Sequence, residues 1–266
     1  MKLISTFILA ILFSLSANAA DVAIQDAVNA KHRNADNVIR DQYRHPAETL
    51  EFFGISPDMY VLEILPGRGW YTEILAPLLK ENGQLTLASF GADHPNNYLK
   101  NIHNSFAELL QSSPELYGKT KMVVFEKDKQ YLAEVPDNSQ DMILTFRSTH
   151  NWIRYGGIES IYQAIYRVLK KGAVLGVVQH RANAGSDSNE TAQKGYVTEE
   201  YLINLLEGMG FELAAKSEIN ANPKDTKDYK DGVWTLPPSL RAKDGNEEKY
   251  KAIGESDRMT LRFIKL

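Results

Sequence analysis

The stretch YVLEILPGRG, residues 60–69, decides the fold of this 266-residue chain. Its first half is a short apolar run typical of a buried β-strand, and its second half carries the proline and glycines of a tight turn. Apolar residues then recur at helical spacing from Ile74 to Leu79, so the sequence predicts a strand, a turn and a helix in immediate succession. Pro77 lies inside that helix and is expected to kink it or end it early, because proline has no amide hydrogen to donate.

The same unit recurs along the chain. Further strands are predicted at 84–90, 122–125, 141–146, 173–178, 211–219 and 259–264, and the last of these suits a terminal strand near a sheet edge. Helices are predicted at 96–110 and 158–171, the latter stopped by Gly172, and after a cap at Thr198. Repeated strand–helix units indicate parallel strands in a layered α/β sandwich, where ligands bind beyond the carboxyl ends of the strands.

Composition and charge exclude several classes of function. The formal net charge is −4, so nothing in the charge balance indicates binding to nucleic acid. The chain has no cysteine, which excludes disulfides, thiolate metal sites and a cysteine nucleophile. The histidines show no metal-ligand spacing, so no metal site is assigned.

The first residues have the sequence features of an export signal. Residues 1–19 have a lysine at position 2, continue through an apolar run at 3–15 and close on a small-x-small cleavage site, which predicts a cut after Ala19. The apolar run is shorter than the roughly 20 residues that span a bilayer, so we expect no permanent membrane anchor. These features predict a mature protein in the periplasm or outside the cell.

The rest of the chain is organised around one large domain. Residues 20–56 are predicted to form an N-terminal helical segment that folds over the ligand edge of the sheet or its side, and residues 57–266 form the α/β domain. Residues 220–257 are an insertion between the last two strands. Its length favours a lid or a binding loop, and the alternative is a solvated surface insertion.

The glycine turn at 66–69 does not match the common nucleotide motifs. A dinucleotide fingerprint needs a third glycine where Thr72 stands, and the chain has no Gly-Lys-Ser/Thr run of a Walker loop. Instead, an acidic residue followed by spaced glycines at a strand-to-helix turn resembles the first motif of the class I S-adenosylmethionine-dependent methyltransferases.

A wider resemblance covers nearly the whole mature chain. Its segments are similar to a family of exported methyltransferases: RHPAETL at 44–50, PGRGWYTE at 66–73, HRA at 180–182, NPKD at 222–225 and SDR at 256–258. The resemblance implies a Rossmann-like class I methyltransferase three-layer sandwich. Its seven-stranded sheet would be mostly parallel, with an antiparallel last strand, and S-adenosylmethionine would be the cofactor.

The resemblance also implies which residues hold the cofactor. Glu63 matches the acidic position that orders the turn and the amino end of the cofactor, while Gly67 and Gly69 match glycines that let it pass. Ser89 stands near the position of the acid that usually holds the ribose, and Asp128 near that of the acid that holds the adenine. The chain departs from the family where Leu65 replaces the first glycine and where 88–90 carry no acid. For Asp128 a plain surface acid is the alternative.

Candidate catalytic and acceptor-binding residues follow strands four and five. His150 and His180 are candidate bases, because a histidine near its free pKa can accept a proton at neutral pH. Arg147 and Arg181 could bind a carboxylate or phosphate of the acceptor, or pair with acidic residues of the protein. The remaining candidates for substrate binding are aromatic, namely Trp152 and Trp234.

Two functions therefore compete at this point. One is a methyltransferase that acts on a small-molecule acceptor in the periplasm. The other is a catalytically inactive binding or accessory protein that keeps the methyltransferase fold, which the location favours because the methyl donor is made in the cytoplasm. Fold alone does not decide between them, because function depends on the site.

Overall fold

A computed structural model describes residues 19–266 of the chain. Residues 1–18, which hold all but the last residue of the expected signal peptide, lie outside the described residues. Within 19–266, no helix combines the length and the apolar character that crossing a membrane requires.

The core of the domain is a seven-stranded sheet with the strand order β3-β2-β1-β4-β5-β7-β6. The strands are β1 Tyr60–Ile64, β2 Gln84–Ser89, β3 Lys121–Val124, β4 Gln140–Phe146, β5 Leu169–His180, β6 Phe211–Ser217 and β7 Arg258–Lys265. β1 to β5 pair in parallel, whereas β7 is antiparallel to both β5 and β6. The expected seven-stranded, mostly parallel sheet with an antiparallel last strand is thus confirmed, and β7 is the second strand from the edge.

Helices cover both faces of the sheet. They are α1 19–28, α2 Ala35–Val38, α3 Asp41–Arg44, α4 Pro46–Phe53, α5 Thr72–Leu79, α6 Asn97–Ser112, α7 Pro114–Tyr117, α8 Thr149–Arg154, α9 Ile158–Val168, α10 Ser188–Thr191, α11 Glu199–Glu207 and α12 Glu247–Ile253. Two short 3₁₀ helices occupy Ala192–Lys194 and Gly232–Thr235. Alternate residues of β1 enter different hydrophobic clusters, Leu62 with α8, α9 and α11, and Val61 with α1, α4, α5 and α6. This alternation produces the three-layer sandwich, because successive strand residues face opposite sides.

The predicted helix at 158–171 is wrong at its end. α9 stops at Val168, and residues 169–171 begin β5 instead. Neighbouring strands supply the reason, since Leu169 lies opposite Gln140 of β4 and its carbonyl accepts a hydrogen bond from Lys265 Nζ at 2.7 Å. Lys170 also donates to Asp141 at 2.6 Å, so its charge serves the sheet rather than a helix terminus.

Pro77 does not end its helix early. α5 continues to Leu79, and the carbonyl of Glu73, to which an amide at position 77 would have donated, accepts a hydrogen bond from His32 Nε2 at 2.7 Å. The N-terminal segment therefore supplies the donor that proline lacks. It also covers the start of α5, where Trp70 Nε1 donates to the Asn37 carbonyl at 2.9 Å.

The insertion at 220–257 is anchored to the domain by buried hydrogen bonds. The Asn220 side chain donates to Thr49 and Thr260 at 3.0 Å each. Asp225 accepts from Tyr196 at 3.2 Å and from the amide of Asp257 at 2.8 Å. These bonds hold the insertion at the sheet edge where β5 ends and β7 begins.

Candidate functional site

The turn after β1 has a left-handed backbone at alternate residues. The φ angles are 51° at Leu65, 63° at Gly67 and 84° at Gly69. Glycine adopts this conformation freely, whereas a leucine is strained there. Leu65 thus has a backbone conformation that favours glycine, and its amide donates to the Ala88 carbonyl of β2 at 2.8 Å.

The two glycines of this turn face different surroundings. A Cβ on Gly67 would meet no atom within 4 Å, so the turn is open at this residue. A Cβ on Gly69 would lie 2.5 Å from a methyl of Leu109 and 3.2 Å from the ring of Phe106. Gly67 therefore leaves room for a ligand, while Gly69 lets α6 pack closely against the turn.

Glu63 is buried beneath the turn at 2% exposure. Its Oε2 accepts a hydrogen bond from Thr72 Oγ1 at 2.7 Å, which ties β1 to the first residue of α5. Burial raises the pKa of Glu63 to about 7, although the Thr72 hydrogen bond and the Arg147 charge oppose that rise. No hydrogen bond within residues 19–266 uses the other carboxylate oxygen, Oε1, so it remains available to a cationic group.

At the ends of β2 and β3, the structure points to an acid that sequence reasoning missed. Ser89 is buried at the end of β2, as the candidate position requires, but Asp128 lies on an exposed turn. The buried acid is Glu126, whose Oε1 accepts from the amide of Gly91 at 2.7 Å. Its signal in the sequence was an acid placed directly after an apolar run, two residues before the one that was chosen.

The structure brings His150 and His180 together. Their ring centroids are 5.6 Å apart, where His150 lies in α8 just after β4 and His180 is the last residue of β5. Gln179 Nε2 lies 3.3 Å from His150 Nδ1, and His180 Nδ1 lies 2.5 Å from Ser256 Oγ. Burial lowers the pKa of His150 to about 4 and that of His180 well below its ordinary value, so both rings are neutral at pH 7.

The insertion contacts both histidines. Trp234 lies edge-on to His150 with their centroids 5.9 Å apart, and its ring is flanked by the guanidinium carbons of Arg154 and Arg241 at 5.3 and 5.1 Å. Ser256, which bonds His180, comes from the end of the same insertion. These contacts favour the lid over the solvated surface loop.

The two candidate arginines have very different surroundings. Arg181 uses all five of its N–H donors on the carboxylates of Glu199, Glu218 and Asp257, at 2.7 to 3.0 Å. Arg147, in contrast, makes no side-chain hydrogen bond or ion pair with any residue from 19 to 266. Its backbone is left-handed with φ 59°, and its amide donates to the Val178 carbonyl at 2.7 Å. Arg181 is thus engaged within the protein, and Arg147 has donors to offer.

Trp152 belongs to the hydrophobic core of the α9 face. It is 4% exposed, and its ring lies 5.3 Å from that of Tyr162 and 6.2 Å from that of Phe125. Its indole Nε1 is buried without a hydrogen-bond partner among the described residues. The packing separates Trp152 from the histidine pair, although it is only two residues from His150.

Arginines of the N-terminal segment and β7 also meet at this edge. Arg40 and Arg44 belong to the N-terminal segment and Arg258 begins β7, and all three contact the carboxylate of Glu255. Arg40 and Arg44 therefore tie the N-terminal segment to the end of the insertion through salt bridges. The described residues hold no group of three or more histidines and acids that could bind a metal ion.

Comparisons with known proteins agree on the fold. No family model matches the chain. A sterol 24-C-methyltransferase from Yarrowia lipolytica is 25% identical over 213 residues, which cover 74% of this chain and 51% of that protein. This chain therefore matches about half the length of that relative.

Solved structures with the same architecture cover most of the chain. An S-adenosylmethionine-dependent methyltransferase from Aquifex aeolicus aligns with a TM-score of 0.57 and 15% identity, covering 92% of this chain and 98% of that one. The [4+2]-cyclase SpnF aligns with the same TM-score and 17% identity, covering 89% of this chain and 83% of its own. The chain therefore has the class I methyltransferase fold. SpnF shares this fold and is named for a different reaction, a [4+2] cyclisation.

Proposed function

We propose that this protein is an S-adenosylmethionine-dependent methyltransferase that acts on a small acceptor in the periplasm or outside the cell. The observation that carries the proposal is the turn at 65–69, where three left-handed residues leave open space at Gly67. An open turn between a strand and a helix N-terminus is where α/β sheets of this kind bind ligands. The relatives named methyltransferases support the same reading.

The residues at the ends of the first three strands fit the cofactor. Glu63 offers a carboxylate oxygen to its ammonium group, Gly67 leaves room for its passage, and Gly69 holds the turn against α6. Ser89 and Glu126 stand at the ends of β2 and β3, where hydroxyls and an amine would be held. When bound, S-adenosylmethionine supplies an electrophilic methyl group on a sulfonium sulfur.

The acceptor side of the site is formed by the histidine pair and the lid. Where the acceptor atom carries a proton, that atom would bond to the methyl carbon as the bond from this carbon to the sulfonium sulfur breaks; the sulfur would leave as a neutral thioether, and the proton would pass to a base. His150 and His180 are neutral at pH 7, so each has an unprotonated ring nitrogen; that of His150 is Nδ1, which must release the hydrogen bond from Gln179 Nε2 before it can accept the proton. Trp234 and Ser256 bring the insertion against these rings and limit the access of water.

Calorimetry of the mature protein with S-adenosylmethionine and S-adenosylhomocysteine tests this proposal. We expect micromolar binding that is lost in Gly67→Leu. The matched control is Gly185→Leu, because Gly185 also has a left-handed φ of 74° and nothing within 4 Å of a Cβ, but it lies in a different loop. Absence of heat at millimolar ligand would reject the methyltransferase. It would favour the catalytically inactive accessory protein. Two features of the sequence already support that alternative, namely Leu65 in the turn and the absence of an acid after β2.

The location outside the cytoplasm has its own test. The N-terminal residues 1–19 support export, and mass spectrometry of protein from the periplasmic fraction should find a chain that begins at Ala20. A full-length chain in the cytoplasmic fraction would contradict this part of the proposal and leave the activity untouched.

A further inference from the structure

One carboxylate in the site, that of Glu255, accepts hydrogen bonds from three arginines. Glu255 Oε1 accepts from Arg40 Nε at 2.8 Å, and Oε2 accepts from Arg44 Nε and Arg258 Nη1 at 3.0 Å each. Glu255, Arg44 and Arg258 are all less than 5% exposed. A single negative charge therefore faces three positive charges inside the protein.

Arg147 adds a fourth positive charge to this cluster. The cluster lies at one edge of the sheet, because Arg147 directly follows β4, Arg258 begins β7, and Arg258 is the register partner of His180 on β5. Arg147 is partly buried, and its guanidinium contacts no acid within residues 19–266. Burial and the charges of Arg258 and Arg40 lower the pKa of Arg147 to about 10, against the opposing charge of Glu255.

Other acids near the cluster are already paired. Asp41 holds Arg33 at 2.6 Å, and Asp257 holds Arg181 and Lys227 at 2.9 and 2.7 Å. Glu63 is near enough to Arg147 for their charges to interact, but its carboxyl is only partly ionised at pH 7. Buried charge without a counter-charge is costly, so the cluster as it stands lacks at least one anion.

We propose that the four arginines bind an anionic group of the methyl acceptor, a carboxylate or a phosphate, with Arg147 as the direct bidentate donor. This inference rests on the proposed function, since it assigns the substrate class of the same site. Arginine suits the task because its planar fork matches the two oxygens of such a group. Arg40 can assist, because its Nη1 and Nη2 make no hydrogen bond within the described residues.

The carboxylate of the cofactor is the competing source of the anion. Its expected place is the turn between β1 and α5, near Gly67. Arg147 and His150 follow β4, one strand further along the sheet, and His180 ends β5, two strands further along; the lid that carries Trp234 covers His150. This separation along the sheet is why we assign the cluster to the acceptor.

Binding of simple anions tests the proposal. The probes are acetate, benzoate and inorganic phosphate, titrated into the mature protein at constant ionic strength, with benzamide as the neutral analogue. Calorimetry gives the affinity, and the ring-proton NMR signals of His150 and His180 report where the anion binds. We expect at least one anion to bind and shift these signals, and benzamide to do neither. If none of the three anions binds, the proposal is overturned.

Variants separate the role of Arg147 from a general loss of charge. Arg147→Met should abolish anion binding, and Arg147→Lys should weaken it about tenfold, because the charge remains but the fork is lost. Lys251→Met is the matched control, since it removes one positive charge from exposed α12 and should change the affinity less than twofold. Circular dichroism confirms that each variant folds; should Arg147→Met not fold, Arg147→Lys alone decides. Unchanged affinity in the folded Arg147 variants would refute the assignment.

A second titration with S-adenosylhomocysteine present distinguishes the two sources. Anion affinity that is unchanged or higher at saturating S-adenosylhomocysteine supports the acceptor, because both ligands then bind together. Competition between them would overturn the acceptor assignment and indicate that the arginine cluster binds the carboxylate of the cofactor instead. A protein that binds the anion but not S-adenosylhomocysteine would refute the methyltransferase while the anion site stands.

Discussion

The variant Leu65→Gly should have a higher free energy of unfolding than the variant Leu65→Ala. Its φ of 51° places a leucine in a conformation that costs an L-residue roughly 1–2 kcal/mol. The side chain is partly buried against the α9-side cluster, and that packing contributes about 1 kcal/mol, or half of a fully buried leucine. Leu65→Ala loses the packing and keeps the strain, whereas Leu65→Gly loses the packing and relieves the strain.

These terms give distinct stabilities for the two variants. Leu65→Ala should lower the free energy of unfolding by about 1 kcal/mol, and Leu65→Gly should lie within about 0.5 kcal/mol of the natural protein. Urea denaturation followed by circular dichroism measures both values. Leu116 provides the control because it is partly buried in helix α7, where alanine should be the better replacement by about 1 kcal/mol.

The critical result is the order of stability at position 65, where the glycine variant should be more stable than the alanine variant, the reverse of the order at position 116. If Leu65→Ala is as stable as Leu65→Gly, the left-handed backbone is not strained and the motif's first glycine has not been replaced at a conformational cost. The same variants also report on the site. Leu65→Gly should bind S-adenosylhomocysteine at least as tightly as the natural protein, since a smaller side chain cannot narrow the turn.

Three further predictions concern packing, charge and pH. Gly69→Ala should destabilise the fold by about 1 kcal/mol more than Gly67→Ala, because only position 69 adds a clash with α6 to the backbone strain; thermal unfolding compares them. Arg181→Met should cost about 2 kcal/mol at pH 7, because Asp257 and Glu199 lose a cationic partner that their other partners, Lys227 and Lys216, replace only in part. Arg181 holds the pKa values of Glu218 and Asp257 below their ordinary range, so this cost should shrink as the pH falls through those lowered pKa values; urea denaturation at about pH 7 and about pH 3 measures this. Burial lowers the pKa of His150 from 6.5 to about 4, so protonation favours the unfolded chain. Stability should fall by up to about 3 kcal/mol between pH 6.5 and 4, and a pH series on His150→Gln should lack this part of the loss.

The sheet was predictable because its strands are short apolar runs that end at glycine and proline turns. Residues 60–64 follow this pattern, and the apolar run at 141–146, which ends at Arg147 instead, is also a strand in the structure. The boundary at 168–169 was not predictable from local pattern. Whether residues 169–171 continue a helix or begin a strand depends on Gln140 and Lys265, which are distant in sequence.

The candidate site was predictable in its motif but not in its charges. The acid and glycines of the turn can be identified from the local sequence, and so can the two histidines near the ends of β4 and β5. Arg147 and Arg181 have the same relation to their strands, and nothing local distinguishes them. The distinction comes from residues 199, 218 and 257, which fold around Arg181 and leave Arg147 without an acid. Long-range partners therefore decided which arginine is available.

The arginine cluster and the histidine pair are coupled electrostatically, because the charge of the cluster affects the pKa values of both histidines. The positive charge of Arg147 adds to burial in lowering the pKa of both His150 and His180, so both rings are weak bases when no anion offsets that charge. An anion bound to Arg147 offsets that charge, so it favours the protonated imidazole and raises the pKa of the nearby rings. The charge of the acceptor would thereby strengthen the base that deprotonates it. A neutral acceptor of the same shape would leave both histidines as weak bases, so selectivity for anions would act on proton transfer as well as on binding.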